Sequence, residues 1–165
     1  TIWKCPVVEM TRTKHVGLLY KQLQSDSAKS RGGMPDYLMT FVKPGENADP
    51  IRHTPDNFPL DQWQEWASPV WMTVNQTNVL NAKAARSEHD EKHLCPLQLD
   101  VIDRALVMWS NPDDVVLSPF MGIGSEGYEA LRHGRRFIGV ELKETYWRQA
   151  CENLLGATAD RKSVV

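Results

Sequence analysis

Residues 114–141, DVVLSPFMGIGSEGYEALRHGRRFIGVE, constrain the fold of this 165-residue chain more than any other stretch. Two short apolar runs, VVLSP and RFIGVE, have the continuous character of strands buried on both faces. Between them lie a glycine-rich loop, a short helix predicted over roughly 125–132 and a stop at Gly134. The KETYWRQACENLL stretch that follows reads as an amphipathic helix. Strand, loop, helix, strand and helix make a β-α-β-α unit, the core of a parallel α/β sheet.

That unit implies a ligand. Gly122 and Gly124 allow backbone to approach a bound molecule closely, and the first turn of the helix presents free N–H groups. Glu141 lies 23 residues after Ser118, at the expected end of the second strand. C-terminal ends of adjacent parallel strands lie side by side, so this acid should sit beside the loop with its oxygens ready for ribose hydroxyls. The expected ligand is a nucleoside. Gly122, Gly124 and Gly127 also satisfy GxGxxG, which makes a dinucleotide-binding oxidoreductase domain a rival reading. Against it, Pro119, Phe120 and Met121 separate the strand end from the first glycine, and the loop holds no Arg or Lys for a phosphate.

The rest of the chain is less regular. TIWK opens it as a short β-like run, and a polar stretch follows to residue 35. DYLMTFVK at 36–43 reads as a strand before a KPG turn. Between Pro44 and Pro69 fall five of the ten prolines, and Trp63, Trp66 and Trp71 cluster nearby. A turn or two of helix is predicted at 60–67 inside this irregular region. PLQLDVIDRALVMWS then reads as a helix opening on Pro96, with Leu97, Val101, Ile102, Ala105, Leu106 and Trp109 near helical spacing.

These motifs together resemble those of the DNA amino-methyltransferases, in particular the permuted β-group of phages and bacteria. SPFMGIGS resembles the DPFxGxGT motif of that family, and FIGVE its ribose-binding motif. EKHLCPLQLDVIDRAL is similar to the helix motif that precedes both. TIWK and DYLMTFVKPG resemble strands that follow the catalytic motif, so the resemblance suggests a C-terminal portion. It implies an S-adenosylmethionine-dependent, Rossmann-like methyltransferase sheet, incomplete here, with a small irregular recognition insertion. Residues 1–43 and 91–165 would belong to the core, and 44–90 to target recognition. The same resemblance places Ser118, Pro119, Phe120, Gly122, Gly124 and Ser125 at the methionine and sugar end of S-adenosylmethionine. It places Glu141 on the ribose, and His93, Leu94, Cys95 and Pro96 near the cofactor carboxylate. Two positions depart from the pattern. Ser118 stands where the family has Asp, replacing a charge-assisted bond to the cofactor ammonium with a neutral one. Cys95-Pro96 stands where it has Lys-Pro.

The family methylates the exocyclic amine of adenine or cytosine with a [D/N/S]PP[Y/F/W] tetrapeptide, whose aromatic stacks on the flipped base. The chain has no full match. Ser68-Pro69-Val70-Trp71 comes nearest, with serine, one proline and an aromatic, but lies within the recognition stretch; a tryptophan packing a short lobe is the alternative. The resemblance therefore implies a catalytic segment upstream of Thr1, a chain that holds cofactor or DNA without turnover, and a VVLS strand with an unpaired edge. Such an edge invites self-association, so a homodimer is compatible with it.

Net charge of −2 argues against nucleic-acid binding through bulk charge. Double-stranded DNA is nevertheless the implied partner, and Arg12, Lys14, Lys21, Lys29 and Arg31 are candidates for its phosphates. Arg132, Arg135 and Arg136 bracket a helix end and read as structural. No metal is expected: His53, His89, His93 and Cys95 lack zinc spacing. Three cysteines without a CxxC pair point to a reducing, cytoplasmic compartment in a bacterial or phage-infected cell. No apolar run is long enough to span a bilayer, so no membrane partner is expected.

Overall fold

A computed structural model describes residues 1–3, 35–80 and 96–162. The chain forms two compact units, one from residues 1–47 and 60–76, the other from 48–59 and 77–165.

In the first unit, helix α1 spans Leu60–Trp66. The chain start is pinned by backbone bonds rather than by a sheet. Ile2 forms an antiparallel bridge with Asp36 and a parallel bridge with Trp71. Ile2, Trp66 and Trp71 are buried, and the Trp71 indole N–H donates to the Trp66 carbonyl at 2.7 Å. The strand expected over 36–43 does not form. Only Asp36 bridges, and residues 37–42 lie in the open. β propensity measures fit to a pleated, half-buried surface, and no described neighbour supplies that surface to Tyr37, Met39 or Phe41.

The second unit holds the other elements: α2 (Leu99–Trp109), β1 (Val115–Ser118), α3 (Ser125–Arg132), β2 (Arg136–Gly139) and α4 (Glu144–Lys162). Strands β1 and β2 pair in parallel, Val115 opposite Arg136 through Ser118 opposite Gly139. The α/β unit expected from the sequence is present, and the α3 bounds match those predicted. Helix α2 begins three residues later than expected, because Gln98, not Pro96, occupies the N-cap and the Leu99 N–H goes outward to the Asn78 carbonyl at 2.9 Å.

Leu99, Ile102 and Leu106 of α2 pack with Ala130 of α3, and Val116 and Phe137 close this core from the sheet. Arg135 ties off the end of α2. Its guanidinium donates to the carbonyls of Leu106 (3.2 Å), Ser110 (2.7 Å) and His133 (2.6 Å) and to Ser110 Oγ (3.1 Å). The structural reading of this arginine holds. Burial of both sheet faces does not. Val115, Leu117, Ile138 and Val140, which alternate with the core-facing residues, are 48–62% exposed. The continuous apolar runs fit a sheet covered twice, and among the described residues only one face is covered. Likewise, β1 has no second strand beside it among the described residues. No helix in the described residues is long and apolar enough to cross a membrane.

Candidate functional site

The site is the turn from β1 into α3, braced by the segment after β2. Ser118 ends β1 and is buried; Pro119 and Phe120 leave the sheet, with Phe120 88% exposed. Met121 turns back and donates its N–H to the Val140 carbonyl at 3.0 Å. Gly122 and Gly124 follow in the left-handed region, with φ of 53° and 84°. Gly124 is the N-cap of α3, and Ser125, its first residue, is buried. The loop is held from below by Asn153 of α4, whose side-chain N–H donates to the Ile123 carbonyl at 2.8 Å. Ile123 itself is buried against Tyr146.

Strand β2 ends at Gly139, two residues short of the acid, but the ladder runs on: the Val140 N–H donates to the Ser118 carbonyl at 2.9 Å. Glu141 therefore emerges beside the loop, as expected. Its Oε2 accepts from the Gly122 N–H at 2.9 Å and its Oε1 from the Lys143 N–H at 2.8 Å. An ionised carboxylate has about four acceptor positions. Two are used here, leaving one on each oxygen.

The three glycines of the GxGxxG spacing differ in what surrounds them. A Cβ on Gly122 would meet nothing within 4 Å, so that position borders open space. One on Gly124 would stand 3.1 Å from Ala150 Cβ, and one on Gly127 2.5 Å from the Phe137 ring. Gly127 serves helix-to-strand packing, and Gly122 alone borders space that a ligand could fill.

Two further residues position the loop and escaped the sequence reading. A Cβ on Gly139 would fall 2.3 Å from Met121 Sδ, so the loop lies directly on β2. Asn153 is the other; its signal was an amide within the otherwise amphipathic closing helix. Glu129 points away from the loop, toward Arg132 and His133. Glu126, in the first turn of α3, has its carboxyl pushed above the ordinary range by burial, opposed by its own backbone N–H.

The remaining sequence candidates divide. Pro96 lies in the segment before α2. His93, Leu94, Cys95, Arg12, Lys14, Lys21, Lys29 and Arg31 lie outside the described residues. In the SPVW stretch, Ser68 Oγ bonds back to Val70, donating to its carbonyl at 3.0 Å and accepting from its N–H at 3.4 Å. The Pro69 carbonyl accepts from the Thr1 ammonium at 2.8 Å. Trp71 is buried and its N–H engaged. That geometry is the packing of a short lobe, with no aromatic face offered to a base.

The DNA methylase family profile, of N6/N4 type, matches residues 8–152. The chain belongs to that family. Among curated relatives, this methylase chain is 31% identical over 117 residues to the type II methyltransferase M1.MboII of Moraxella bovis, across 65% of the chain and 44% of the relative. It is 34% identical over 79 residues to the DNA adenine methyltransferase YhdJ of Escherichia coli K12, across 47% and 27%. A solved DNA modification methylase from Thermus thermophilus aligns with a TM-score of 0.53 at 26% identity, over 70% of this chain and 42% of that one. The same methylase complexed with S-adenosyl-L-methionine aligns with a TM-score of 0.53 at 24% identity, over 76% and 48%, a likeness of fold. The chain thus spans less than half the length of these relatives.

Proposed function

We propose that this chain is the S-adenosylmethionine-binding, C-terminal portion of a permuted β-group DNA amino-methyltransferase, a bacterial or phage cytoplasmic enzyme of the restriction-modification type. The observation that carries the reading is the pairing of Glu141 with the Gly122 N–H beside open space, in a chain of the N6/N4 methylase family. Residues 1–43 and 91–165 belong to the methyltransferase core, and 44–90 form the target-recognition insertion. Arg12, Lys14, Lys21, Lys29 and Arg31 meet phosphates of double-stranded DNA.

The residues present fit the cofactor. Glu141 retains an acceptor on each oxygen for the two ribose hydroxyls, and Gly122 leaves room for the sugar. Ser118, Pro119, Phe120, Gly124 and Ser125 line the methionine and sugar end, with His93, Leu94, Cys95 and Pro96 toward the carboxylate. With Ser118 in place of an aspartate, the ammonium end gains one neutral acceptor. S-adenosylmethionine supplies an electrophilic methyl group on a sulfonium. This chain's residues hold and orient it, so that transfer to the exocyclic amine of a flipped adenine or cytosine depends on placement.

Relatives more than twice as long, and the absence of the catalytic tetrapeptide from these 165 residues, support assigning base capture to other residues of the full enzyme. The exposed sheet face and the open edge of β1 are where the rest of that sheet, or a second copy of the chain, would pack. Calorimetry with S-adenosylhomocysteine and with NAD tests the site: binding of the first and not the second is expected, and the reverse would revive the oxidoreductase reading. Incubation of the chain with labelled S-adenosylmethionine and mixed-sequence DNA tests the division of labour. No label in DNA is expected. Robust turnover would place the catalytic residues within this chain, with Ser68, Pro69 and Trp71 the first to substitute.

A further inference from the structure

On the far side of α3 from its contacts with β2 lies a cluster the methyl-transfer reading does not use. Glu129 and His133 are one helical turn apart on α3, and Asp103 faces them from α2. The His133 Nε2 lies 2.6 Å from Asp103 Oδ1 and 3.7 Å from Glu129 Oε2. One ligand atom from each residue falls within 4.8 Å of the others. We propose that Asp103, Glu129 and His133 form a zinc site that clamps α2 to α3.

The donor set suits the ion. One imidazole and two carboxylates are borderline-hard ligands of the kind that bind zinc. Tetrahedral zinc, with bonds of about 2.0–2.1 Å, holds its ligand atoms roughly 3.3 Å apart. The two separations at Nε2 bracket that value, so side-chain adjustments of under an ångström would seat the ion. Glu129 is held for this role: Arg132 binds its Oε1 at 3.0 Å, leaving Oε2 toward His133. Such support orients a ligating carboxylate.

Charge and access agree. Two carboxylates outweigh the single guanidinium of Arg132, and His133 caps the C-terminal end of α3, where the helix dipole favours a cation. The Glu129 side chain is 3% exposed, whereas those of His133 and Asp103 are 31% and 33% exposed. The site is walled on one side and open to water on the other, with a fourth position for a water ligand. With the imidazole proton carried on Nδ1, Nε2 offers its lone pair to the ion in place of the bond to Asp103.

The test uses the full 165-residue chain, stripped with chelator and dialysed against zinc or cobalt(II). One equivalent of zinc is expected, bound at least tenfold more weakly by His133→Ala and by Asp103→Asn. His133→Ala leaves the backbone cap of α3 intact, and Asp103→Asn keeps the side-chain shape; circular dichroism checks both folds. The cobalt form should show visible bands of a tetrahedral nitrogen–oxygen site without thiolate charge transfer. No stoichiometric zinc, unchanged affinity in both folded variants, or a thiolate band would each overturn the assignment.

Discussion

The backbone N–H of Gly122 donates to Oε2 of Glu141 at 2.9 Å, joining residues 19 apart in the chain. The loop leaving one strand and the acid following the next are therefore one construction. The carboxylate fixes the loop with part of its hydrogen-bonding capacity and keeps the rest for a ligand.

Glu141→Gln should weaken S-adenosylhomocysteine binding by tenfold or more. The amide has one acceptor oxygen where two backbone N–H groups, of Gly122 and Lys143, now need one each. Losing a charge-assisted bond costs about 1.5–3 kcal/mol, and about 1.4 kcal/mol is tenfold. Calorimetry on the folded variant checks this, and unchanged affinity would remove Glu141 from the site.

Alanine substitutions should separate the glycines by role. Gly127→Ala places a methyl 2.5 Å from the Phe137 ring and 2.6 Å from a Leu154 methyl, an overpacking that costs about 1–3 kcal/mol. Gly122→Ala meets no neighbour and bears only the strain of its φ of 53°, about 1–2 kcal/mol. Urea unfolding should rank Gly127→Ala as the less stable. Ligand titration should show the larger affinity loss in Gly122→Ala.

Arg135→Ala should destabilise the second unit by about 2–4 kcal/mol, since it strips hydrogen bonds from the terminal carbonyls of α2 and leaves buried acceptors unpaired. Arg135→Lys should recover only part, because an ammonium cannot reach the forked set of acceptors. Urea midpoints of the two variants check the order. Equal midpoints would mean the guanidinium fork contributes nothing.

Burial raises the Glu126 pKa in the folded state. The folded chain then binds this proton more tightly than the unfolded chain does, so the group's contribution to stability falls as pH rises through the unfolded and then the folded pKa. Glu126→Gln removes that dependence. The variant should gain stability relative to the parent between pH 4 and pH 7, read from urea unfolding at each pH. A constant difference would show the carboxyl to be solvated like an ordinary surface acid.

The local elements around the site were legible in the sequence because each is set by near neighbours. Two apolar runs, Gly122 and Gly124 at a turn, and Gly134 after a helix fix β1, the loop, α3 and β2 from backbone preferences alone. The position of Glu141 followed from one rule about parallel strands. What needed the tertiary structure was everything that depends on a partner distant in sequence. Tyr37, Met39 and Phe41 have strand-forming side chains, but a strand exists only where another accepts its hydrogen bonds, and only Asp36 has one. The apolar character of Val115, Leu117, Ile138 and Val140 specifies a covering layer without supplying it, so the exposure of that face could not be read from the runs. Asp103 lies 30 residues from His133, too far for any ligand spacing to reveal; the packing of α2 on α3 put their side chains 2.6 Å apart. Sequence determines which conformations each segment prefers. Which segments meet is decided by the burial of their apolar faces, and meetings of that kind brought Asp103 to His133 and Asn153 to Ile123.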